Sequence, residues 1–282
     1  MRWQGRRGSS NIEDRRGMRY GKAGGVGIGA IVLALIAMYF GQDPSVVLQQ
    51  LPEQQPQGEQ APYQESPAEA QLREFISVVL ADTEQTWGEI FASAGRTYEQ
   101  PQLVLFSGAV ESACGFAQAA VGPFYCPVDR KAYIDLSFYE ELKSRFGAPG
   151  DFAQAYVIAH EIGHHVQTLL GISERNMAAR QRASQAEANA LSVRQELQAD
   201  CFAGIWAHSA DRSRQLLEAG DIEEGLNAAS AIGDDRLQRQ AGGSASPESF
   251  THGSSEQRVR WFQRGYESGS LEACDTFSAR AL

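Results

Sequence analysis

Hydrophobic residues recur at helical spacing along several stretches of the chain, and short apolar runs mark two others. Residues that repeat every three or four positions place an apolar stripe on one side of a helix. This pattern predicts helices over residues 68–94, 138–146, 151–170, 186–209, 212–219, 222–240 and 254–268. The apolar runs predict strands over residues 101–110 and 131–136. Residues 172–184 are predicted to form a polar connection or the frayed start of a helix. Together these elements predict a helix-rich α+β domain over residues 67–282.

A stretch without charged residues runs from residue 23 to residue 41 and is mostly aliphatic. At about 1.5 Å per residue, a helix of this length just spans a hydrocarbon core of about 30 Å. Seven basic and two acidic side chains lie in residues 1–22, and this bias predicts a cytoplasmic N-terminus. A cleaved signal peptide is the alternative, but the bulky residues 38–40 offer no small-residue cleavage site.

We therefore predict a protein of the bacterial inner membrane with a single transmembrane helix over residues 23–41. Its basic residues 1–22 are expected in the cytoplasm, and its C-terminal body in the periplasm or outside the cell. Residues 42–66 are rich in Gln, Pro, Glu and Ser, a composition typical of a disordered tether.

The net charge of the chain is −10, although residues 1–22 contribute +5, so the remainder carries −15. An acidic body argues against nucleic acid as a partner, because phosphate binding needs clustered Lys and Arg. The sequence leaves the oligomeric state open.

Four cysteines fit a body outside the cytoplasm, where disulfides are permitted. Cys114 and Cys126 bracket a short glycine-containing loop and are predicted to pair, which leaves Cys201 and Cys274 as a second pair. A free, buried thiol is the alternative for Cys201. The chain has no C-x-x-C spacing, so the cysteines predict no zinc site of their own.

The helix predicted over residues 151–170 carries the sequence His160-Glu161-Ile162-Gly163-His164. Histidines four residues apart lie one turn apart on one face, where both imidazoles can bind one zinc ion. Glu161 has the position of a general base that takes a proton from a zinc-activated water. Three of the five histidines fall within residues 160–165, which argues against incidental polar positions. The sequence therefore predicts one zinc ion per chain at a catalytic site.

A catalytic zinc site takes a third ligand from the protein and keeps one position for water. Glu196 and Asp200 lie one turn apart on an otherwise apolar helix, where a carboxylate pair is costly without a cation. We predict that Glu196 binds the metal and that Asp200 accepts a hydrogen bond from a ligand histidine. The alternatives are Asp200 as the direct ligand and a solvated acidic face without metal.

These motifs resemble the gluzincin metallopeptidases and, more closely, a bacterial family of neutral zinc metallopeptidases. The likeness extends from about residue 68 to the C-terminus and rests on residues 122–127 (Gly-Pro-Phe-Tyr-Cys-Pro), 160–165, 196–204 and 258–266. It implies a zincin-like fold, with His160, His164 and Glu196 as zinc ligands. It also implies Glu161 as the general base and Asp200 as the partner of a ligand histidine.

The resemblance assigns roles to two residues near the C-terminus as well. His252 would donate a hydrogen bond to the oxyanion of the tetrahedral intermediate, and Arg258 would brace His252 or the carboxylates. Gly253 stands where the related peptidases usually have proline, so a second role remains open for His252. In that role it caps the helix that starts near Ser254.

The sequence therefore predicts a membrane-anchored zinc metallopeptidase, an endopeptidase rather than an exopeptidase. Its peptide or protein substrate is expected to pair with the strand near residues 133–136. The alternative is a non-catalytic, zinc-stabilised envelope protein that binds peptides or proteins. Glu161 disfavours this alternative, because a structural zinc site needs no general base.

Overall fold

The computed structural model describes residues 1–18 and 63–282. The chain divides into two compact units, one formed by Met1–Arg15 with Glu65–Leu282 and the other by Arg16–Gln64. Every helix and strand that the structure describes belongs to the first unit. The predicted transmembrane helix over residues 23–41, and residues 42–62 of the predicted tether, lie outside the described residues.

Helices dominate the first unit, and the predicted helix-rich α+β class is confirmed. The helices are α1 Pro67–Ser93, α2 Ser137–Ser144, α3 Asp151–Leu169, α4 Ile172–Arg180, α5 Gln185–Arg212, α6 Asp221–Ala231, α7 Asp234–Gln240 and α8 Ser255–Ser268. The strands are β1 Ile12–Asp14, β2 Gln102–Phe106, β3 Ala109–Ser112, β4 Gly115–Gln118, β5 Phe124–Cys126 and β6 Lys131–Asp135.

A four-stranded sheet has the order β1-β2-β6-β5, in which β5 runs antiparallel to β6 and the other neighbours are parallel. Strand β6 therefore lies inside the sheet and uses both of its edges. Residues 131–135 of β6 pair with β2, and residues 131–133 pair with β5 as well, so Tyr133 is paired on both sides. For residues 134–136, the pairing with a peptide stays a prediction. On the side of β6 that faces away from β2, the outermost strand of the sheet is β5.

The N-terminal residues are part of the body. Ile12 in β1 pairs with Leu103 in β2, and the side chain of Trp3 is buried against the ring of Phe75, with centroids 5.4 Å apart. Strands that share hydrogen bonds lie on the same side of any membrane, whereas the predicted topology needs residues 1–22 and the body on opposite sides.

The described helices contain no candidate membrane span. Within residues 1–18 and 63–282, no helix is both long and apolar enough to cross a bilayer. The predicted location, a single-pass protein of the inner membrane with an external body, is therefore wrong.

Both predicted disulfides are present. Cys114–Cys126 joins the turn of the β3–β4 hairpin to β5, and Cys201–Cys274 joins α5 to the C-terminal segment. The alternative of a free thiol at Cys201 is wrong. The first disulfide therefore fixes the β3–β4 turn to β5, and the second fixes the C-terminal segment to α5.

The secondary structure differs from the prediction in three segments. The helix predicted over residues 222–240 is broken at Gly233, whose backbone is extended with a ψ of 142°. A Cβ atom at this position would lie 2.4 Å from the backbone nitrogen of Ser255, which leaves room only for glycine. Residues 212–219 are mostly non-helical, with Gln215 at a φ of 51°. Residues 172–184, predicted as a connection or a frayed helix start, contain the separate helix α4, whose buried Asn176 donates to the carbonyl of Leu191 in α5. Hydrogen bonds to α5 thus help to hold α4 in place, although its sequence lacks the apolar stripe by which helices are predicted.

Candidate metal centre

A glycine inside the histidine motif allows α3 and α5 to approach closely. A Cβ atom at Gly163 would lie 2.9 Å from the carbonyl oxygen of Ala199, so a side chain here would force the helices apart. Because Glu196 lies one turn before Ala199, this approach places its carboxylate beside both histidines of the motif.

The candidate ligand atoms converge. Oε2 of Glu196 lies 3.2 Å from Nε2 of His160 and 3.4 Å from Nε2 of His164, and the three atoms are all within 4.8 Å of one another. A tetrahedral zinc ion with bonds of about 2.0–2.1 Å holds its ligand atoms roughly 3.3 Å apart. Two imidazoles and one carboxylate at these separations therefore fit a zinc ion.

Asp200 lies behind His160 rather than beside the other ligand atoms. Its Oδ1 is 2.7 Å from Nδ1 of His160 and accepts a hydrogen bond from the hydroxyl of Tyr156. Burial raises the pKa of Asp200, but the charges of Arg258 and His160 outweigh it and bring the pKa to about 2. Asp200 is thus an ionised acceptor for Nδ1–H of His160, which leaves Nε2 of that ring for a metal.

Arg258 binds Asp200 with two parallel hydrogen bonds. Nε and Nη2 lie 2.8 and 2.9 Å from the two carboxylate oxygens, and Nη2 also donates to the hydroxyl of Tyr156. The contact depends on a tight crossing of α5 and α8, where a Cβ atom at Gly265 would lie 1.9 Å from the carbonyl oxygen of Cys201. Of the two braces that the resemblance left open, the structure shows Arg258 at the carboxylate.

Glu161 is buried, with 7% of its surface exposed, and lines the same cavity as the candidate ligands. Burial raises the pKa of Glu161, and the nearby His160 and His164 only partly offset this. A carboxylate whose pKa is raised is a stronger base than an exposed one, so it accepts a proton more readily at neutral pH.

His252 reaches the cavity from the loop before α8. Asp234 fixes this loop, because its Oδ2 accepts hydrogen bonds from the backbone N–H groups of Thr251, His252 and Gly253 at 2.7, 2.6 and 3.1 Å. Oδ1 of Asp234 lies 3.3 Å from Nδ1 of His252. Gly253 has a φ of +95°, which proline cannot adopt, so proline could not replace this glycine in the loop.

The alternative role for His252, capping α8, is wrong. Ser254 is the N-cap residue, and its own hydroxyl accepts from the backbone N–H of Gln257. Sequence reasoning also missed Asp234. An aspartate in the first turn of a helix reads as a helix-start residue, and nothing in the sequence connects it to a loop some 20 positions later.

His164 and His165 have different environments. Nδ1 of His164 lies 2.9 Å from Oε1 of Gln167, a residue that sequence reasoning did not single out. His165 is fully buried and does not face the ligand group. Its Nε2 lies 2.7 Å from the carbonyl oxygen of Glu99, and its Nδ1 lies 3.1 Å from the hydroxyl of Tyr125 in β5.

A cavity of about 790 Å³ opens in front of the candidate ligands. Its polar lining holds the candidate site residues His160, Glu161, His164, Glu196, His252 and Arg258. Its apolar lining includes Val121, Phe138, Phe146, Val157, Ile232 and Leu237. The structure therefore brings the predicted site residues together at one cavity, with Asp200 packed behind them.

Comparison with known proteins identifies the family of the chain. A family model described as "Putative neutral zinc metallopeptidase" matches residues 1–277. The match includes the N-terminal residues, which the sequence resemblance had left out. No solved structure matches the chain.

Related proteins are similar over most of their length. "Uncharacterized protein YpfJ" of Escherichia coli K12 is 51% identical over 287 residues, covering 98% of this chain and 99% of the relative. "Uncharacterized protein Mb2605" of Mycobacterium bovis is 41% identical over 259 residues, covering 87% and 86%. The chain belongs to the neutral zinc metallopeptidase family.

Proposed function

We propose that the chain is a zinc-dependent endopeptidase that holds one zinc ion through His160, His164 and Glu196. The observation that carries the proposal is the 3.2 and 3.4 Å separation between the carboxylate oxygen of Glu196 and the two imidazole nitrogens. A zinc ion bound there lowers the pKa of a coordinated water to about 7 and polarises a carbonyl oxygen.

Glu161 is the general base in this proposal. It takes a proton from the attacking water and then gives that proton to the amine that leaves when the peptide bond breaks. Its burial suits both steps, because a raised pKa lowers the cost of holding the proton between them.

His252 is the proposed donor to the oxyanion. With Nδ1 held toward Asp234, Nε2 is the ring nitrogen that remains for the cavity. The Asp234 carboxylate raises the pKa of His252, which favours the protonated, hydrogen-bond-donating form near neutral pH.

The substrate backbone is proposed to lie along β5. This strand forms an edge of the sheet, and its Phe124 and Tyr125 line the cavity. An extended peptide adds to such an edge through main-chain hydrogen bonds, which do not depend on its sequence.

The apolar part of the cavity favours a substrate with a large apolar side chain. Val157 lies one turn before Glu161 on α3, so the apolar lining adjoins the carboxylate that protonates the leaving amine. We therefore expect the apolar side chain to belong to the residue that follows the cleaved bond.

Exposed hydrophobic residues extend this preference from Val121 in the cavity lining to the surface around β5. Phe116, Val121 and Val128 are 59%, 67% and 69% exposed, and they lie within 13 positions of the chain on both sides of β5. Such surfaces are typical of contacts with another polypeptide. They support an unfolded or extended protein segment as the substrate.

This prediction is tested with a disordered protein substrate, zinc-loaded enzyme and identification of the products by mass spectrometry. We expect internal cleavages that precede Leu, Ile, Val, Phe or Met, lost with a chelator and restored by zinc. The Glu161→Gln protein, purified in the same way, controls for a contaminating protease. Stepwise release of single residues from one end would contradict endopeptidase activity, and cleavage without apolar preference would contradict the role of the apolar lining.

The non-catalytic alternative has less support. Within residues 1–18 and 63–282, the group that contains His160 and His164 offers three protein ligands, which is the number at catalytic sites, whereas structural sites use four.

A further inference from the structure

A chain of buried amide groups leads from His164 to the C-terminal segment. Nδ1 of His164 lies 2.9 Å from Oε1 of Gln167, and Nε2 of Gln167 lies 3.0 Å from Oε1 of Gln198. Nε2 of Gln198 in turn lies 3.0 Å from the backbone carbonyl oxygen of Cys274. Gln167 and Cys274 are fully buried and Gln198 is 5% exposed, so these groups have little access to competing water.

The direction of every hydrogen bond in this chain follows from its last member. The carbonyl of Cys274 can only accept, so Gln198 must turn its NH₂ group toward it and its oxygen toward Gln167. Gln167 must then direct its NH₂ group to Gln198, and the same group donates to the backbone carbonyl of Gln195 at 2.7 Å. The reversed amides would place an amide oxygen against the carbonyl oxygens of Cys274 and Gln195.

The oxygen of Gln167 therefore faces His164. Nδ1 of His164 must carry the hydrogen, and the lone pair of the ring stays on Nε2, the atom 3.4 Å from Glu196. This is the tautomer that a metal ligand needs when it binds through Nε2.

Cys274, the last acceptor in this series of amides, is held in place by several contacts. The Cys201–Cys274 disulfide attaches Cys274 to α5, and Arg194 donates to the carbonyl oxygens of the next residues, including Ala279 at 3.1 Å. Thr276 returns a hydrogen bond to the carbonyl of Arg194. The acceptor from which the directions follow is thus held in place independently of the metal site.

We propose that Gln167 and Gln198 are positioning residues, which hold His164 in its zinc-binding tautomer and orientation through this one-way amide chain. The proposal rests on His164 being a zinc ligand, as in the proposed function. Asp200 does the same for His160 with a charge, so the two histidines are held by chemically different partners.

The test measures zinc affinity of the full chain by competition with a chromophoric chelator. Replacement of a group that orients a metal-binding histidine typically costs 10- to 100-fold in metal affinity. We expect a loss in this range for Gln167→Leu, and a smaller loss for Gln198→Leu because Gln167 keeps its bond to Gln195. Gln185→Leu makes the same change at an exposed position of α5 and should leave the affinity unchanged.

A second readout separates positioning from a general loss of structure. In the zinc-loaded wild type, the Nδ1 proton of His164 should exchange slowly with water and be visible by ¹⁵N-edited NMR. We expect it to exchange much faster in Gln167→Leu, while the Nδ1 proton of His160, held by Asp200, is unaffected.

Zinc affinity within twofold of wild type in both Gln167→Leu and Gln198→Leu would overturn the amide chain while leaving the zinc site intact. An equal loss in Gln185→Leu would also overturn it. A wild-type chain that binds no zinc would overturn both this proposal and the proposed function.

Discussion

Glu161→Gln is expected to bind zinc as the wild type does and to lose peptide hydrolysis by a factor on the order of 10²–10⁴. Glutamine keeps the size of Glu161 and one of its oxygens, but its amide cannot take a proton from the attacking water. Because the three proposed ligands are untouched, metal content should not change. The measurement is kcat/KM on a peptide identified in the cleavage map, alongside the zinc content of the same samples.

Glu140→Gln is the matched control, since it makes the same change at an exposed position on α2 and should leave kcat/KM unaltered. Full activity in Glu161→Gln would exclude Glu161 as the base. Loss of zinc together with activity would show that the substitution disturbs the metal site, and the assignment of Glu161 to proton transfer would then fail.

Arg258→Leu is expected to destabilise the fold by about 3–5 kcal/mol, the usual cost of removing one partner of a buried ion pair. Arg258 is 3% exposed and binds both oxygens of Asp200, which is fully buried. Without the guanidinium, the carboxylate keeps its charge in a site that burial disfavours. The measurement is the free energy of unfolding in urea, at a fixed and saturating concentration of zinc.

The loss of stability in Arg258→Leu should depend on pH in a definite direction. In the wild type the pKa of Asp200 is about 2, below its ordinary value, so its ionised form adds stability above the ordinary pKa that is lost as the pH falls through 2. Without Arg258, the pKa of Asp200 rises from its wild-type value, because less positive charge opposes the effect of burial. The deficit of the variant should then be largest at neutral pH and shrink as acid protonates Asp200.

The double variant Arg258→Leu with Asp200→Asn removes the buried charge and should recover part of the lost stability. A deficit below about 1 kcal/mol in the single variant, the range of exposed pairs, would contradict the role of this ion pair in the core.

The grouping of the three candidate ligands could be predicted from the sequence, because such a site has a local signature. A histidine pair at helical spacing and a carboxylate pair on a second helix can each be recognised within five residues. Their meeting depends on Gly163, whose missing side chain allows α5 to approach α3. That glycine is visible in the sequence, but its role appears only once the partner helix is known.

Residues that hold the site from a distance were not predictable in the same way. Asp234 and Gln167 act through hydrogen bonds to a loop and a ring, and neither residue type has a spacing that indicates such a contact. The topology of the sheet was also hidden. Strand β1 has three residues, too few for a period-two pattern, and its pairing with β2 makes the N-terminus part of the body.

The prediction of a membrane location was wrong for a related reason. An uncharged stretch after basic residues is a general sign of membrane insertion, and it carries no information about strand pairing on its N-terminal side. Residues 1–15 show why this matters, because their contacts with the body exclude the topology that the charge bias favours.

The most direct test of the zinc site is elemental analysis of the chain purified without chelators, beside Glu196→Ala and the exposed control Glu174→Ala. We predict about one zinc per chain in the wild type and in Glu174→Ala, and its loss in Glu196→Ala. No zinc in the wild type, or zinc fully retained in Glu196→Ala, would contradict a centre formed by His160, His164 and Glu196.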